Sequence, residues 1–188
     1  MVQTKDGQYS ITKIIGLWLL ITVPMGLARF WLLPLVEDRL TIHPGIFFWL
    51  LMIGGMIWQF IVSVIVLKIE LGKLTWDKLK ERLWLNHPID PKSRRVSKKL
   101  YWMVIPVILY GAFIQFTGLL NFLSEGMLKM FPFFQPPDYV QIEQLATSEF
   151  HGAWYLVGIV LISSLFNYLL GEELFFRGIL LPKMNGVF

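Results

Sequence analysis

Three charged residues lie close together in an otherwise apolar run near the end of the chain. Glu172, Glu173 and Arg177 occur in the stretch LLGEELFFRGILLP, residues 169–182. A carboxylate in a poorly hydrated setting suits general acid/base chemistry or the activation of a water molecule. Ionisable residues inside a membrane segment are costly and point to function. These three residues are therefore the candidate site of the sequence.

Helical geometry divides the three residues into two roles. Glu173 and Arg177 are four residues apart, so they share a helix face, with the acid N-terminal as such a pair prefers. Glu172 is rotated by about 100° from Glu173. We therefore expect Glu173 to pair with Arg177, and Glu172 to remain available for chemistry. Gly171 and Gly178 flank the group and permit close helix approach.

Two other interpretations of the same residues stay open. In the simpler one, the charged group is only the inner end of a membrane helix, with a salt bridge at the interface. In the other, one of the glutamates is a proton relay in a transporter. No internal repeat or inverted symmetry in the sequence supports the transporter.

The composition places the chain in the membrane class. Its 188 residues are 55% hydrophobic and 16% charged, whereas an ordinary soluble domain carries about 25% charged residues. The absence of cysteine excludes disulfides, thiol catalysis and cysteine-based metal sites. The net charge of +4 is not accompanied by a nucleic-acid motif. The lipid bilayer, including anionic lipid, is therefore the expected partner, and nucleic acid is not.

Four apolar segments are long enough to cross a bilayer, which takes about 20 residues. They are residues 14–36, 45–67, 100–124 and about 153–181. The predicted fold is an all-α, multi-pass transmembrane helical bundle. The first three spans form an N-terminal transmembrane region, residues 1–150, and the fourth opens a second region, residues 151–188.

The charge of the linkers predicts the orientation of the chain. Residues 68–99 carry ten Lys or Arg against four acids, and residues 125–151 carry one Lys against four acids. The positive-inside rule then places residues 68–99 and the N-terminus in the cytoplasm. Within this basic linker, Trp76, Leu79 and Leu83 share one helical face and Arg82 falls among the polar positions. The pattern predicts a short cytoplasmic helix on the membrane surface.

The charged motif resembles that of a known family. EELFFRG is similar to the first motif, E-E-x-x-x-R, of the CPBP family of CAAX proteases and bacteriocin-processing intramembrane proteases, and ILLP after it also resembles that family. The resemblance implies a metal-dependent endopeptidase, with zinc as the expected metal, that cleaves membrane peptides or prenylated proteins. It implies that Glu172 activates the attacking water while Glu173 and Arg177 support the site. It also implies a bacterial cell membrane as the location.

Two later motifs of that family, F-x-x-x-H and H-x-x-x-N, do not occur in these 188 residues. None of His43, His87 and His151 has a Phe four residues before it. Metal catalysis usually needs about three protein ligands. We therefore expect a second region that is incomplete at its C-terminus, no metal held by this chain alone, and little or no proteolysis by it. The alternative function is a non-catalytic membrane scaffold or a bacteriocin-immunity type of protein.

Overall fold

The computed structural model describes residues 7–90, 92–132, 135 and 150–184. In chain order, the helices are α1 (Ile11–Arg39), α2 (Pro44–Leu71), α3 (Trp76–Arg82), α4 (Val104–Phe116), α5 (Leu119–Met130) and α6 (Tyr155–Lys183). The only β-type pairing among these residues is an isolated bridge between Ile89 and Val96. The predicted all-α class is confirmed.

Three of the described helices, α1, α2 and α6, are long and apolar enough to cross a membrane. They correspond to the predicted spans 14–36, 45–67 and 153–181. α2 has 28 residues and is therefore about 42 Å long, which exceeds the ~30 Å hydrocarbon core of a bilayer. The three helices are compatible with an integral membrane protein.

The predicted span at residues 100–124 is divided in the structure. A 3₁₀ turn, Lys98–Met103, leads into α4, and Gly118 separates α4 from α5. Gly118 has a φ of +67°, a left-handed conformation that favours glycine and ends a helix. α4 has only 13 residues, or about 20 Å. The described residues thus contain three candidate spans where about four were predicted, because hydropathy alone does not register a helix break.

Local sequence explains where α2 begins and ends. The Nδ1 atom of His43 caps its start by accepting a hydrogen bond from the Gly45 N–H at 3.1 Å. Pro44 occupies the first turn, where its missing N–H costs nothing. Gly72 follows the last residue with a φ of +71°, a value that residues other than glycine rarely adopt, so the helix ends here.

The chain forms two compact units. The first consists of the described residues of Met1–Trp84 and Asp138–Phe188 and contains α1, α2, α3 and α6. The second consists of those of Leu85–Pro137 and contains α4 and α5. The predicted boundary between residues 150 and 151 stays a prediction.

α2 is the central helix of the first unit, because α1 and α6 both pack against it. The core between these helices and α3 is apolar, and close packing of its side chains holds the unit together. Its buried side chains include Ile14, Ile21, Val62, Leu67, Leu83, Leu174, Phe175, Ile179 and Leu180. Four of them come from the charged motif of α6 and the turn after it, so this segment is anchored by its apolar neighbours.

The short helix predicted in the basic linker is present as α3, but Arg82 is not on its polar face. Leu79 packs against the core and Leu83 is buried, as predicted, whereas Trp76 is 62% exposed. Arg82 is only 6% exposed. Its burial is explained by a carboxylate partner on α2, Glu70, which a helical pattern within α3 does not reveal.

Candidate functional site

The two glutamates of the charged motif lie on α6 between two π-helical segments, and Arg177 lies within the second of these segments. The α-helical turn Glu172–Phe175 follows the π-helix Leu165–Gly171 and precedes the π-helix Phe176–Leu180. π-Helical turns inside α-helices are rare and occur frequently at functional sites. The sequence predicts a helix here, but not these wider turns. The backbone of α6 thus departs from regular helix on both sides of the two glutamates.

The ion pair that the spacing predicts is formed. The Nε atom of Arg177 lies 2.7 Å from Oε2 of Glu173, and the two side chains are 50% and 39% exposed. This distance is that of a charge-assisted hydrogen bond. Both residues belong to α6, so their pairing does not tie that helix to a neighbour.

Glu172 takes no part in this pair. Its side chain is exposed, and it makes no hydrogen bond or ion pair with any other described residue. A carboxylate with open lone pairs can accept a proton or a hydrogen bond from water. Glu172 is therefore the available carboxylate of the motif, as the helical geometry predicts, and its catalytic role stays a prediction.

The glycines beside the motif are closely packed, as predicted. A Cβ atom at Gly171 would lie 2.5 Å from the carbonyl oxygen of Phe166 and 3.6 Å from that of Met56 on α2. At Gly178 it would lie 3.3 Å from Cδ2 of Leu83. Gly171 therefore permits the π-helical turn and the approach of α6 to α2, while Gly178 permits the contact with the end of α3.

A second charged group was missed by sequence reasoning. This Glu70 cluster consists of Tyr9, Glu70, Arg82 and Lys183. Glu70 accepts hydrogen bonds from the Tyr9 hydroxyl and from Nη2 of Arg82, and Nζ of Lys183 lies 3.7 Å from its Oε1 atom. Arg82 and Lys183 are 6% and 5% exposed. The cluster joins the N-terminal segment, α2, α3 and the end of α6.

The sequence carries a weak signal for this cluster. Glu70 is the single acid in residues 39–76, at the end of a span that otherwise has little charge. A carboxylate in such a setting needs a partner of opposite charge. Nothing in a linear pattern, however, connects Glu70 with Arg82 on another helix or with Lys183 near the other end of the chain.

The three histidines lie in three separate environments, and in the described part of the chain none is hydrogen-bonded to Glu172 or Glu173. The ring of His43 packs edge-on against Phe150 at 5.5 Å, Nδ1 of His87 lies 2.7 Å from the hydroxyl of Tyr101, and His151 is exposed. Within the described ranges, no group of three or more His, Cys, Asp or Glu could hold a metal ion. The described donors around Glu172 therefore do not complete a zinc site.

No family model, curated protein or solved structure matches the chain. Its class is therefore defined by its own features. It is a helical protein with three helices compatible with membrane insertion, and the third of them carries a charged motif.

Proposed function

We propose that the chain supplies the glutamate motif of a membrane-embedded endopeptidase of the CPBP type, in which Glu172 activates the attacking water. The observation that carries the proposal is the contrast between two adjacent carboxylates. Glu173 is held by Arg177 at 2.7 Å, whereas Glu172 is exposed and lacks a polar partner in the described part of the chain. The resemblance of EELFFRG to the family motif supports the same assignment.

In this proposal Glu172 is a general base. It takes a proton from a water molecule while the water oxygen adds to the carbonyl carbon of the scissile peptide bond. Glu173 is less suited to the step, because its Oε2 atom already accepts a hydrogen bond from Arg177. A positioned base of this kind contributes about 10²- to 10⁴-fold to the rate. The proposed substrates are membrane peptides or prenylated proteins.

The described residues do not complete a metal site, so no step of this proposal passes through a metal. We expect the purified 188-residue chain to show little or no proteolysis by itself. Cleavage that depends on Glu172 is therefore sought in the native membranes of the cells that make the protein.

The exposed apolar surface of the long helices favours a second candidate, a non-catalytic membrane scaffold or a bacteriocin-immunity type of protein. Large apolar side chains on the three long helices are exposed, among them Trp18 on α1, Ile65 on α2 and Leu161 on α6. In a bilayer such surfaces can pack against other membrane helices as well as lipid. A protein of this kind would need Glu173 and Arg177 for structure and would not need Glu172.

We also propose that the chain crosses a bacterial cell membrane several times, with its N-terminus in the cytoplasm. The excess of Lys and Arg in residues 68–99 supports this orientation. Since the chain has no cysteine, single cysteines can test it. An impermeant maleimide should label Lys129→Cys in intact cells and Lys78→Cys only after permeabilisation. The opposite pattern would contradict the orientation.

The proposed function is tested by peptide cleavage in native membranes that carry the wild-type chain, Glu172→Gln or the exposed control Glu81→Gln. Glu172→Gln should reduce cleavage by about 10²-fold or more at unchanged protein level, while Glu81→Gln leaves it unchanged. Robust activity of the purified chain, abolished by Glu172→Ala, would refute the expectation that these 188 residues are inactive by themselves. Full biological function of Glu172→Gln would favour the scaffold.

A further inference from the structure

We propose that Arg82 is a positioning residue for the motif of α6, a role that rests on the proposed function. Arg82 supplies a hydrogen-bond donor to the backbone of α6 at the point where Pro182 removes one. It thereby fixes the turn of the helix that carries Arg177, and with it the geometry of the glutamate pair.

The central observation is a buried bond between a side chain and the helix backbone. The Nε atom of Arg82 donates to the carbonyl oxygen of Gly178 at 2.6 Å. Gly178 lies where the π-helix Phe176–Leu180 passes into the α-helical turn Leu181–Lys183, and in α-helical register its carbonyl oxygen would accept from the N–H of residue 182. That residue is Pro182, which has no N–H. Arg82 thus provides a donor that the sequence of α6 lacks.

The guanidinium of Arg82 is itself held in place. Its Nη2 atom donates to Glu70 on α2, while its Nε atom serves Gly178. The rigid, planar fork of an arginine can serve two acceptors in fixed directions, whereas the single ammonium of a lysine cannot reproduce this geometry. Glu70 is fixed in turn by Tyr9 and Lys183. The donor to Gly178 is therefore anchored by the whole Glu70 cluster.

The backbone that Arg82 holds is adjacent to the motif. Gly178 directly follows Arg177 within the π-helix Phe176–Leu180. The site of its absent side chain lies against Leu83, the residue that follows Arg82, so α3 contacts this turn through both a hydrogen bond and packing. A shift of the Gly178 peptide would displace Arg177 and disturb its bond to Glu173. Small displacements of this kind reduce catalysis strongly.

The test compares Arg82→Met with the double variant Arg82→Met/Pro182→Ala. Methionine removes the donor at similar length, and the alanine of the double variant restores a backbone N–H that can bond the Gly178 carbonyl within the helix. If Arg82 acts by supplying the donor, Pro182→Ala should rescue the loss. If Arg82 only neutralises Glu70, Pro182→Ala should have no effect on it. Arg95→Gln, at an exposed arginine of the basic linker, is the matched control.

A first readout reports the geometry of α6 without any activity. Spin labels at Leu161→Cys and Leu181→Cys, both exposed positions, span both π-helical segments and lie about 30 Å apart. We expect a narrow distance distribution in the parent and in Arg95→Gln, a broad one in Arg82→Met, and a narrow one again in the double variant. A double variant as broad as Arg82→Met would overturn the proposal.

A second readout is cleavage in native membranes. Arg82→Met should lower kcat by about 10- to 100-fold with little change in KM, and the added Pro182→Ala should restore most of it. A change in KM alone, or proportional losses of protein and activity that Pro182→Ala does not restore, would contradict positioning. If Glu172→Gln has no effect on cleavage, the proposed function fails, and the spin-label comparison still decides the role of Arg82.

Arg82→Met leaves a buried carboxylate with one cation fewer and could prevent accumulation. In that case the double variant Glu70→Gln/Arg82→Met, which removes one charge of each sign, replaces Arg82→Met. Pro182→Ala is then added to this double variant. Recovery of accumulation on adding Pro182→Ala would support the missing-donor role. No recovery in either background would refute it.

Discussion

Two glutamate–arginine pairs in the first unit differ in burial and in what they connect. Glu70 and Arg82 lie on separate helices, and their side chains are 13% and 5% exposed. Glu173 and Arg177 lie one turn apart on α6 and are 39% and 50% exposed. Breaking a buried pair leaves an uncompensated charge, whereas exposed pairs contribute little. The comparison indicates that the Glu70 pair holds helices together, whereas the Glu173 pair lies within one helix and contributes less to the stability of the unit.

Glu70→Ala should have the largest effect of the variants that test the difference between the two pairs. It removes the acceptor of Tyr9 and Arg82 and the counter-charge of Lys183. We expect a loss of about 3–5 kcal/mol in the free energy of unfolding, measured by chemical denaturation in detergent. Glu81→Ala, an exposed glutamate on α3, is the control. Equal losses in the two variants would show that the cluster has no structural role.

Gly171→Ala tests the close packing that holds α6, the helix of the exposed Glu173–Arg177 pair, in place. The added Cβ would lie 2.5 Å from the Phe166 carbonyl oxygen, so the backbone must move. We expect a loss of about 1–3 kcal/mol in stability, measured by thermal unfolding in detergent, together with weaker cleavage if the motif is catalytic. Gly158→Ala has open space around the new Cβ and should be neutral or slightly stabilising. A neutral Gly171→Ala would contradict the close packing beside the motif.

Arg177→Ala measures how much the exposed Glu173–Arg177 pair contributes to stability. Because both side chains are partly exposed, the loss of stability should be about 1 kcal/mol or less, and smaller than that of Glu70→Ala under the same conditions. Denaturation midpoints and accumulation in membranes provide the measurement. An effect as large as that of Glu70→Ala would show that the pair is structural. Accumulation equal to the wild type would show that it has no structural role.

The smallest expected effect on stability comes from Asp90 in the second unit. Asp90 is a surface carboxylate whose bonds are all to residues close to it in sequence. The Ser93 hydroxyl donates to its carboxylate at 2.7 Å and the Lys92 N–H at 3.0 Å. These bonds hold the pKa of Asp90 below its ordinary value of 3.8. The resulting stabilisation of the folded state is present at pH values above 3.8 and is lost as the pH falls through the folded-state pKa of Asp90.

Ser93→Ala should therefore raise the pKa of Asp90 towards 3.8, because it removes the largest cause of the shift. The pKa is measured by NMR titration of the side-chain carboxyl carbon. Ser97→Ala, in the same loop, is the control and should leave the pKa of Asp90 unchanged. An unchanged pKa in Ser93→Ala would indicate that the Lys92 N–H is sufficient by itself.

Much of the fold follows from hydropathy, and part of the site follows from spacing. The apolar runs predict α1, α2 and α6, and the separation of four residues predicts the Glu173–Arg177 bond. Both are local properties of the chain. The helix break at Gly118 involves a positive φ at one residue, and the π-helix Leu165–Gly171 ends at a glycine that is closely packed against α2. The Glu70 cluster depends on contacts between distant segments, and for this reason the sequence did not reveal it.

The closure of the first unit by both ends of the described chain has a consequence for biosynthesis. The Tyr9 N–H donates to the Lys183 carbonyl at 3.1 Å, and Nζ of Lys183 donates to the Gly7 carbonyl across a separation of 176 residues. At 5–20 residues per second, the ribosome needs roughly 9–35 s to make that length of chain. During this interval Tyr9 and Glu70 are already made while Lys183 is not. The Glu70 cluster therefore stays incomplete until α6 has been made, and the partly built unit exposes Glu70 and Arg82 without Lys183 during that time.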